Sequence, residues 1–365
     1  MQLTQEMSET LRSTSRGLQA PVHGEDNNRL ATKEGPSSSG SVLPTLDEPL
    51  QVDSDFSDLS DTTSSIDDRT TIVSSIKNYK YENGRRYHSF RDGEYLLPND
   101  DREQDRLDLS HHIFKLTLNG DLFRAPIDNP QSVLDFGTGT GLWAIDLAEQ
   151  FPGAEVLGTD LSPIQPSWVP SNCRFEVDDA ESDWLYGHQS IDFIHSRGMS
   201  GSIRDWAKLF GQTMECLRPG GWLEVQEYET VALSDDNSFA LAANFNFWQG
   251  KLNEASQIFG KGFMDSSYHK QRMEEAGFVN VTDDVYKVPM GSWPKDKRMK
   301  EIGRFQLYQM LEAVEPFSLA VFTRVLKWTP EQTRDLIEKV KADLCNPKVH
   351  MYSRFHYIYG QKPDN

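Results

Sequence analysis

With 365 residues, a formal net charge of -19 and a pI near 4.9, the chain is long enough for one large or two ordinary domains. Its acidity excludes non-specific binding to nucleic acid and disfavours anionic membranes. Cys173, Cys216 and Cys345 lie far apart with no Cys-x-x-Cys or Cys/His ligand spacing. That argues against a disulfide framework or a metal site and fits a reducing compartment. No apolar run approaches the ~18 residues of a membrane span, and the N-terminal stretch carries no signal core, so a soluble cytoplasmic or nuclear protein is expected.

Residues 1–75 are rich in Ser, Thr, Asp and Gly and hold 13 acidic against 5 basic residues. Segments such as "DSDFSDLSDTTSSIDD" bury too little apolar surface to offset the entropy of ordering, and a disordered acidic tail is expected. Residues 76–130 form an N-terminal helical cap segment. After Pro98, Asn99 or Asp100 is placed to cap a helix, whose Leu107, Leu109, Ile113, Phe114 and Leu118 keep helical spacing.

From residue 131 to 365 the pattern is strand, loop, helix, strand. Strands are predicted at Val133–Phe136, Glu155–Thr159, Arg174–Val177, Ile191–His195 and Trp222–Tyr228, with helices at Leu142–Gln150 and Arg204–Cys216. This alternation predicts a parallel sheet covered on both faces. Beyond Ser238 come helical runs at 238–258 and 267–276, a strand at Val279–Val288, helices at 296–314, 316–327 and 330–344, and a last strand at His350–Tyr359. The helical insertion of about 294–346 is expected to sit over the sheet's ligand edge as a substrate lid, or to be a packing extension.

The chemistry concentrates in "VLDFGTGTGLWAIDLAEQFP", Val133 to Pro152. Glycines leaving a parallel strand let backbone approach a ligand closely. Gly139-x-Gly141-x-x-Ala144 also satisfies a dinucleotide pattern, which by itself is weak evidence. Asp135, two residues before the glycines, repels a pyrophosphate and suits a cationic amino-acid end, as in S-adenosylmethionine. Asp160 closes the second strand, where a carboxylate accepts from both ribose hydroxyls. Asp179 and Ala180 follow the third strand, where an acid and a backbone amide match adenine. Each acid alone is also an ordinary cap or turn former. Their occurrence in order favours the methyl donor.

The motifs "ENGRRYH", "YLLPNDDREQDRLDLSHHIF", "VLDFGTGTGLWAIDLAEQFP", "GTDLSPIQPSWVP", "CRFEVDDAESDW" and "LRPGGWLEVQEYE" resemble the class I S-adenosylmethionine-dependent methyltransferases. More narrowly, they resemble the LaeA-like fungal family. The likeness covers roughly residues 79–230 well and the rest more loosely. It implies a Rossmann-like seven-stranded sheet with helices on both faces and the last strand inserted antiparallel. It implies a donor site drawn from Asp135, Gly137, Thr138, Gly139, Thr140, Gly141, Asp160, Leu161, Asp179, Ala180 and Arg197. Gly137, Gly139 and Gly141 would line the methionine part, Asp135 its ammonium, Asp160 the ribose, and Asp179 with Ala180 the adenine. Members of the family tailor small molecules of fungal secondary metabolism, whereas its namesake is a nuclear regulator of metabolite genes.

Methyl transfer is an in-line displacement on an activated carbon, so alignment supplies much of the rate and no metal is required. A hydroxyl or amine acceptor can need a base. His195 and Glu227 are the leading candidates; Tyr228, His111 and His112 are others. His195 is favoured by its place at a strand's carboxyl end, with a hydrogen-bonded wall residue as the alternative. Arg197 and Glu227 could equally be an ion pair. "IDFIHSRGMS" lacks the Asn/Asp-Pro-Pro-Tyr/Phe signature of nucleic-acid amino methyltransferases. Trp206, Phe245, Trp248, Tyr268, Phe305 and Tyr308 supply either an apolar acceptor pocket or core. The leading reading is a methyltransferase with a small-molecule acceptor. The others are a regulator acting through protein partners and an NAD oxidoreductase.

Overall fold

The computed structural model describes residues 50–51, 79–88, 90–91 and 93–364. The tail read over residues 1–75 lies, apart from Leu50 and Gln51, outside the described residues. A short hairpin comes first, β1 (Lys80–Glu82) and β2 (Arg85–Tyr87). It turns through Asn83 and Gly84 at φ 54° and 82°, the left-handed pair that a two-residue turn demands. Helix α1 (Asp101–Thr117) is capped by Asp100, which accepts from the Glu103 amide at 3.0 Å. The same carboxylate takes the Arg85 guanidinium at 2.6 and 2.9 Å, so one acid fixes both the helix start and the hairpin.

The sheet follows: β3 (Ser132–Phe136), α2 (Leu142–Gln150), β4 (Glu155–Asp160), β5 (Cys173–Val177), β6 (Ile191–Arg197), α3 (Trp206–Cys216) and β7 (Leu217–Tyr228). Then come α4 (Ala243–Phe259), α5 (His269–Glu275), β8 (Val279–Pro289), α6 (Lys297–Ala320), α7 (Pro330–Leu344) and β9 (Tyr352–Gln361). The strand order is β5-β4-β3-β6-β7-β9-β8. The first five in that order are parallel, and β9 lies antiparallel between β7 and β8.

Alternation along the strands builds two cores. Val133, Val156 and Phe193 pack with Trp143, Ala144 and Leu147 of α2 on one face. Leu134, Ile194 and Leu223 pack with Trp206, Leu209 and Phe210 of α3 on the other. A third core joins α4, α6 and α7 through Phe245, Leu252, Val314, Phe322, Leu336 and Val340.

Several boundaries differ from expectation, among them these. β6 runs two residues past His195, and β7 begins at Leu217, taking "RPGG" into the strand. Helix α3 starts at Trp206 because Asp205 caps it, accepting from the Lys208 amide at 2.9 Å. The break expected near residue 315 does not occur: α6 runs through Pro316. An interior proline costs roughly 3 kcal/mol. Val314, Phe317, Leu319 and Ala320, all buried around it, gain ~1.5–3 kcal/mol for each large side chain. Packing wins, and the helix loosens only later, into a π-helical turn at Val321–Val325.

Candidate active site

Register places Asp135 at the centre of the parallel half, opposite Gly158 on β4 and His195 on β6. Only 2% of Asp135 is exposed. One carboxylate oxygen accepts from Thr138 Oγ1 at 2.5 Å and the other contacts His195 Nδ1 at 2.8 Å. His195 is fully buried, its ring stacked on Trp143 at 3.5 Å and 4°. Burial holds it below the ordinary histidine pKa, with Asp135 opposing. The neutral ring therefore donates Nδ1–H to the carboxylate.

The loop after β3 is stitched to β4. The Thr138 amide donates to the Thr159 carbonyl at 2.9 Å, and the Gly139 amide to Asp160 Oδ2 at 2.9 Å. Asp160 Oδ1 accepts from the Ser162 amide at 2.9 Å. Burial pushes its pKa up to about 6, with those two amides and His88 pulling the other way. Gly137, Gly139 and Gly141 all have positive φ, at 68°, 59° and 83°. Their roles differ. A Cβ on Gly141 would stand 2.4 Å from the Phe175 ring, and one on Gly137 2.1 Å from Met199 Sδ, whereas on Gly139 the nearest atom is Leu107 Cδ1 at 3.6 Å.

Two open cavities meet over this loop. The first, about 900 Å³ including its mouth, is lined by Asp160, Leu161, Asp179, Ala180 and Ser162. The second, about 680 Å³, is lined by Asp135, Thr138, Thr140, His195 and Tyr228. Gly137, Gly139, Arg197, Gly198, Tyr95 and Leu107 line both. Most predicted donor-site residues are thus brought together.

Two residues of the set face neither cavity. Gly141 is a packing position beneath Phe175. Glu227 is fully buried and accepts from the Met199 and Ser200 amides at 2.7 and 3.3 Å and from Ser200 Oγ at 2.9 Å. Burial pushes it up to about 7, with Ser200 opposing. It holds the turn after β6 instead of pairing with Arg197. Arg197 donates to His111 Nδ1 at 2.9 Å and lies over the Phe114 ring. Burial lowers it to about 10, still cationic at neutral pH. His111 in turn contacts Asp146 at 3.0 Å, and burial, partly offset by Asp146, pulls the histidine down to about 4. His112 packs edge-on against Phe305.

Asp179 spends one oxygen on the Glu181 amide at 3.0 Å and the other on Ser182 Oγ at 3.2 Å, with Arg91 Nε at 3.4 Å. Of the six aromatics offered for an acceptor pocket, Trp206 and Phe245 are core, Tyr268 is exposed, Phe305 and Tyr308 pack beside a fourth core around Phe114, Val288 and Phe355, and Trp248 borders a cavity.

The cap supplies residues that composition and spacing did not single out. Glu103 and Arg106 form a buried pair at 2.6 and 3.0 Å, Glu103 lining the first cavity and Arg106 the second. No spacing singles them out, because the first six residues of α1, "DREQDR", are nearly all charged.

The donor set is carboxylates and backbone at the carboxyl ends of adjacent strands. The lining cations are already engaged: Arg197 by His111, Arg106 by Glu103, and Lys261 by Glu94 and Glu181 at 3.2 and 2.8 Å. That chemistry fits an ammonium, a sulfonium, ribose hydroxyls and an adenine amine, and opposes a pyrophosphate. Fold and site define a class I S-adenosylmethionine-dependent methyltransferase. A methyltransferase-domain family model matches residues 109–283. Among curated proteins, methyltransferase pytC of Aspergillus terreus is 43% identical over 88% of this chain and 99% of its own. The secondary metabolism regulator laeA of Aspergillus flavus is 36% identical over 78% of each chain. A solved phosphoethanolamine N-methyltransferase 2 of Haemonchus contortus, in complex with S-adenosyl-L-methionine, aligns at TM-score 0.39 and 20% identity over 74% of this chain and 54% of that one. This chain spans about half of that enzyme's length. The chain belongs to the LaeA-like methyltransferase family. Among the described residues no helix is long and apolar enough to cross a membrane.

Proposed function

We propose that this methyltransferase modifies a small molecule of secondary metabolism, with the donor held across the two joined cavities. The supporting observation is the set of carboxylates, Asp135, Asp160 and Asp179, at the carboxyl ends of three adjacent parallel strands along one continuous opening. Bound S-adenosylmethionine would supply a methyl carbon on positive sulfur, already activated for in-line transfer to an acceptor atom.

In this reading Asp135 serves the ammonium end, Asp160 the ribose hydroxyls, and Asp179 with the Ala180 amide the adenine edge. His195 is a positioning residue: its Nδ1–H fixes the carboxylate of Asp135. Glu227 sets the Met199–Ser200 turn against Gly137. Tyr228, whose hydroxyl meets Arg106, borders the second cavity, and burial keeps it protonated, so it orients an acceptor by hydrogen bonding. Alignment supplies the acceleration.

Incubation with methyl-labelled donor and a fungal extract tests the reading. Label is expected in the low-mass fraction. Label confined to protein or nucleic acid, or no donor binding, refutes it.

A further inference from the structure

The donor carries a carboxylate beside its ammonium, and the acids that line its cavities repel that group. A cation next to it offsets the repulsion. Among the described residues that line the two cavities, Arg106 is bound to Glu103, and Lys261 to Glu94 and Glu181. Arg197 is the exception. Its partner is the His111 ring, which takes one N–H at 2.9 Å and cancels no charge. A guanidinium has five N–H groups, and among the described residues the Arg197 side chain makes no other hydrogen bond. Arg197 also keeps part of its surface open and lines both cavities.

Register puts this cation within reach of the head group. Asp135 stands opposite His195 on β6 and contacts its ring. Arg197 follows His195 by two residues, so both side chains leave the same face of the sheet, about 7 Å apart along the strand. An amino acid holds its ammonium and carboxylate on one carbon, and one hydrogen bond at each end bridges such a gap. Burial disfavours the Arg197 charge, and Asp135 is the first of the acids that support it.

A chain of contacts fixes the guanidinium. Because Arg197 donates, His111 Nδ1 is bare, and the ring's proton sits on Nε2, facing Asp146 Oδ2 at 3.0 Å. The same oxygen takes Lys115 at 2.6 Å. The Phe114 ring covers the guanidinium at 5.1 Å. His111, Phe114 and Lys115 belong to α1, and Asp146 to the helix that follows the glycine loop. Cap and loop therefore grip one side chain together.

We infer that Arg197 holds the donor's carboxylate, and that His111 and Asp146 are positioning residues that aim its guanidinium at that group. The inference rests on the donor placement above, with Asp135 at the ammonium, and names what faces the other half of the head group.

The probes are S-adenosylhomocysteine and its decarboxylated analogue, which keeps the amine and lacks the carboxylate, each titrated by calorimetry into the full chain. The wild type is expected to bind the first about ten- to a hundred-fold more tightly, as a charge-assisted hydrogen bond allows. Arg197→Gln is expected to bring the two affinities to within about two-fold of each other, mostly by weakening S-adenosylhomocysteine. His111→Leu, which removes the acceptor that aims the guanidinium, is expected to lower the ratio, and to lower it no further when combined with Arg197→Gln. A loss of packing alone would weaken both probes alike and leave the ratio unchanged. Equal affinity of the wild type for the two probes, or a ratio that survives Arg197→Gln, overturns the inference and leaves the donor placement standing. If Arg197→Gln fails to fold, His111→Leu decides: a lowered ratio supports the inference, and an unchanged one overturns it. A wild type that binds neither probe refutes the donor placement and the inference with it.

Discussion

Asp160 offers the sharpest test of the donor site, because its burial makes donor binding pH-dependent. Its carboxyl is moved from 3.8 to about 6, so the buried charge is disfavoured by ~3 kcal/mol at 1.36 kcal/mol per unit. Each oxygen already accepts one backbone amide, at 2.9 Å from Gly139 and from Ser162. An ionised carboxylate offers about four acceptor sites, leaving two for the ribose hydroxyls. Protonation converts one acceptor to a donor and breaks that match. Affinity for S-adenosylhomocysteine should therefore be full above pH 6 and fall, by up to about ten-fold per pH unit, as pH drops through 6. Asp160→Asn presents an NH₂ group to one of the two amide donors. It is expected to weaken binding ten- to a hundred-fold at pH 7, equivalent to ~1.4–2.8 kcal/mol, and to flatten the profile between pH 5 and 7. Calorimetric titration across that range reads both effects. An unchanged dissociation constant, or the same pH dependence in the Asn variant, refutes the reasoning.

The glycines should separate by role. Gly141→Ala brings a Cβ to 2.4 Å from Phe175 at φ 83° and should cost about 3 kcal/mol in urea unfolding. Gly139→Ala, with only Leu107 at 3.6 Å, should cost about 1 kcal/mol yet weaken S-adenosylhomocysteine clearly; equal unfolding costs would contradict the assignment. On β9, His356 lies between Asp283 at 2.9 Å and Glu229 at 3.4 Å. Burial disfavours its charge, but the two acids prevail and raise it from 6.5 to about 9. The resulting stabilisation, of order 3 kcal/mol, is present below pH 6.5 and lost as pH rises through 9. Urea midpoints at pH 6.5 and 9.5 should converge in His356→Gln relative to wild type.

The parallel half of the sheet is legible in the sequence because most of its strands carry a short apolar run and end in or next to an acid or glycine. That grammar needs no tertiary knowledge. Asp135 and Asp160 could be placed over one cleft by strand ends alone. The contacts of His195 and Glu227 could not. Both sit where ligands bind in open α/β sheets, but the stacking of His195 on Trp143 and the amides that occupy Glu227 come from residues distant in sequence or across a turn. Gly141 reads like its neighbours in the motif, and only the Phe175 ring from β5 distinguishes it. Pro316 signals a break by local rules, and the break is overridden by a core whose partners lie on α4 and α7. The small chamber lined by Tyr228, Trp248, Met290, Gln309 and Ser353 draws on five separate segments, so no window of sequence contains it.

Helix α6 packs against α1, α7 and β8. One stretch carries Gln309, Ala313 and Phe317 toward the chamber, and interleaved with them Glu312 and Glu315, which hold Arg102 at 2.6 Å and Arg85 at 3.3 Å. Arg85 in turn grips Asp100, the cap of α1. The helix is thus a clamped rod: sliding it to enlarge the chamber would tear those ion pairs and unseat the cap over the donor. The lining of that chamber can therefore change by side-chain exchange at positions 309, 310 and 313, while the backbone of the helix stays fixed in register.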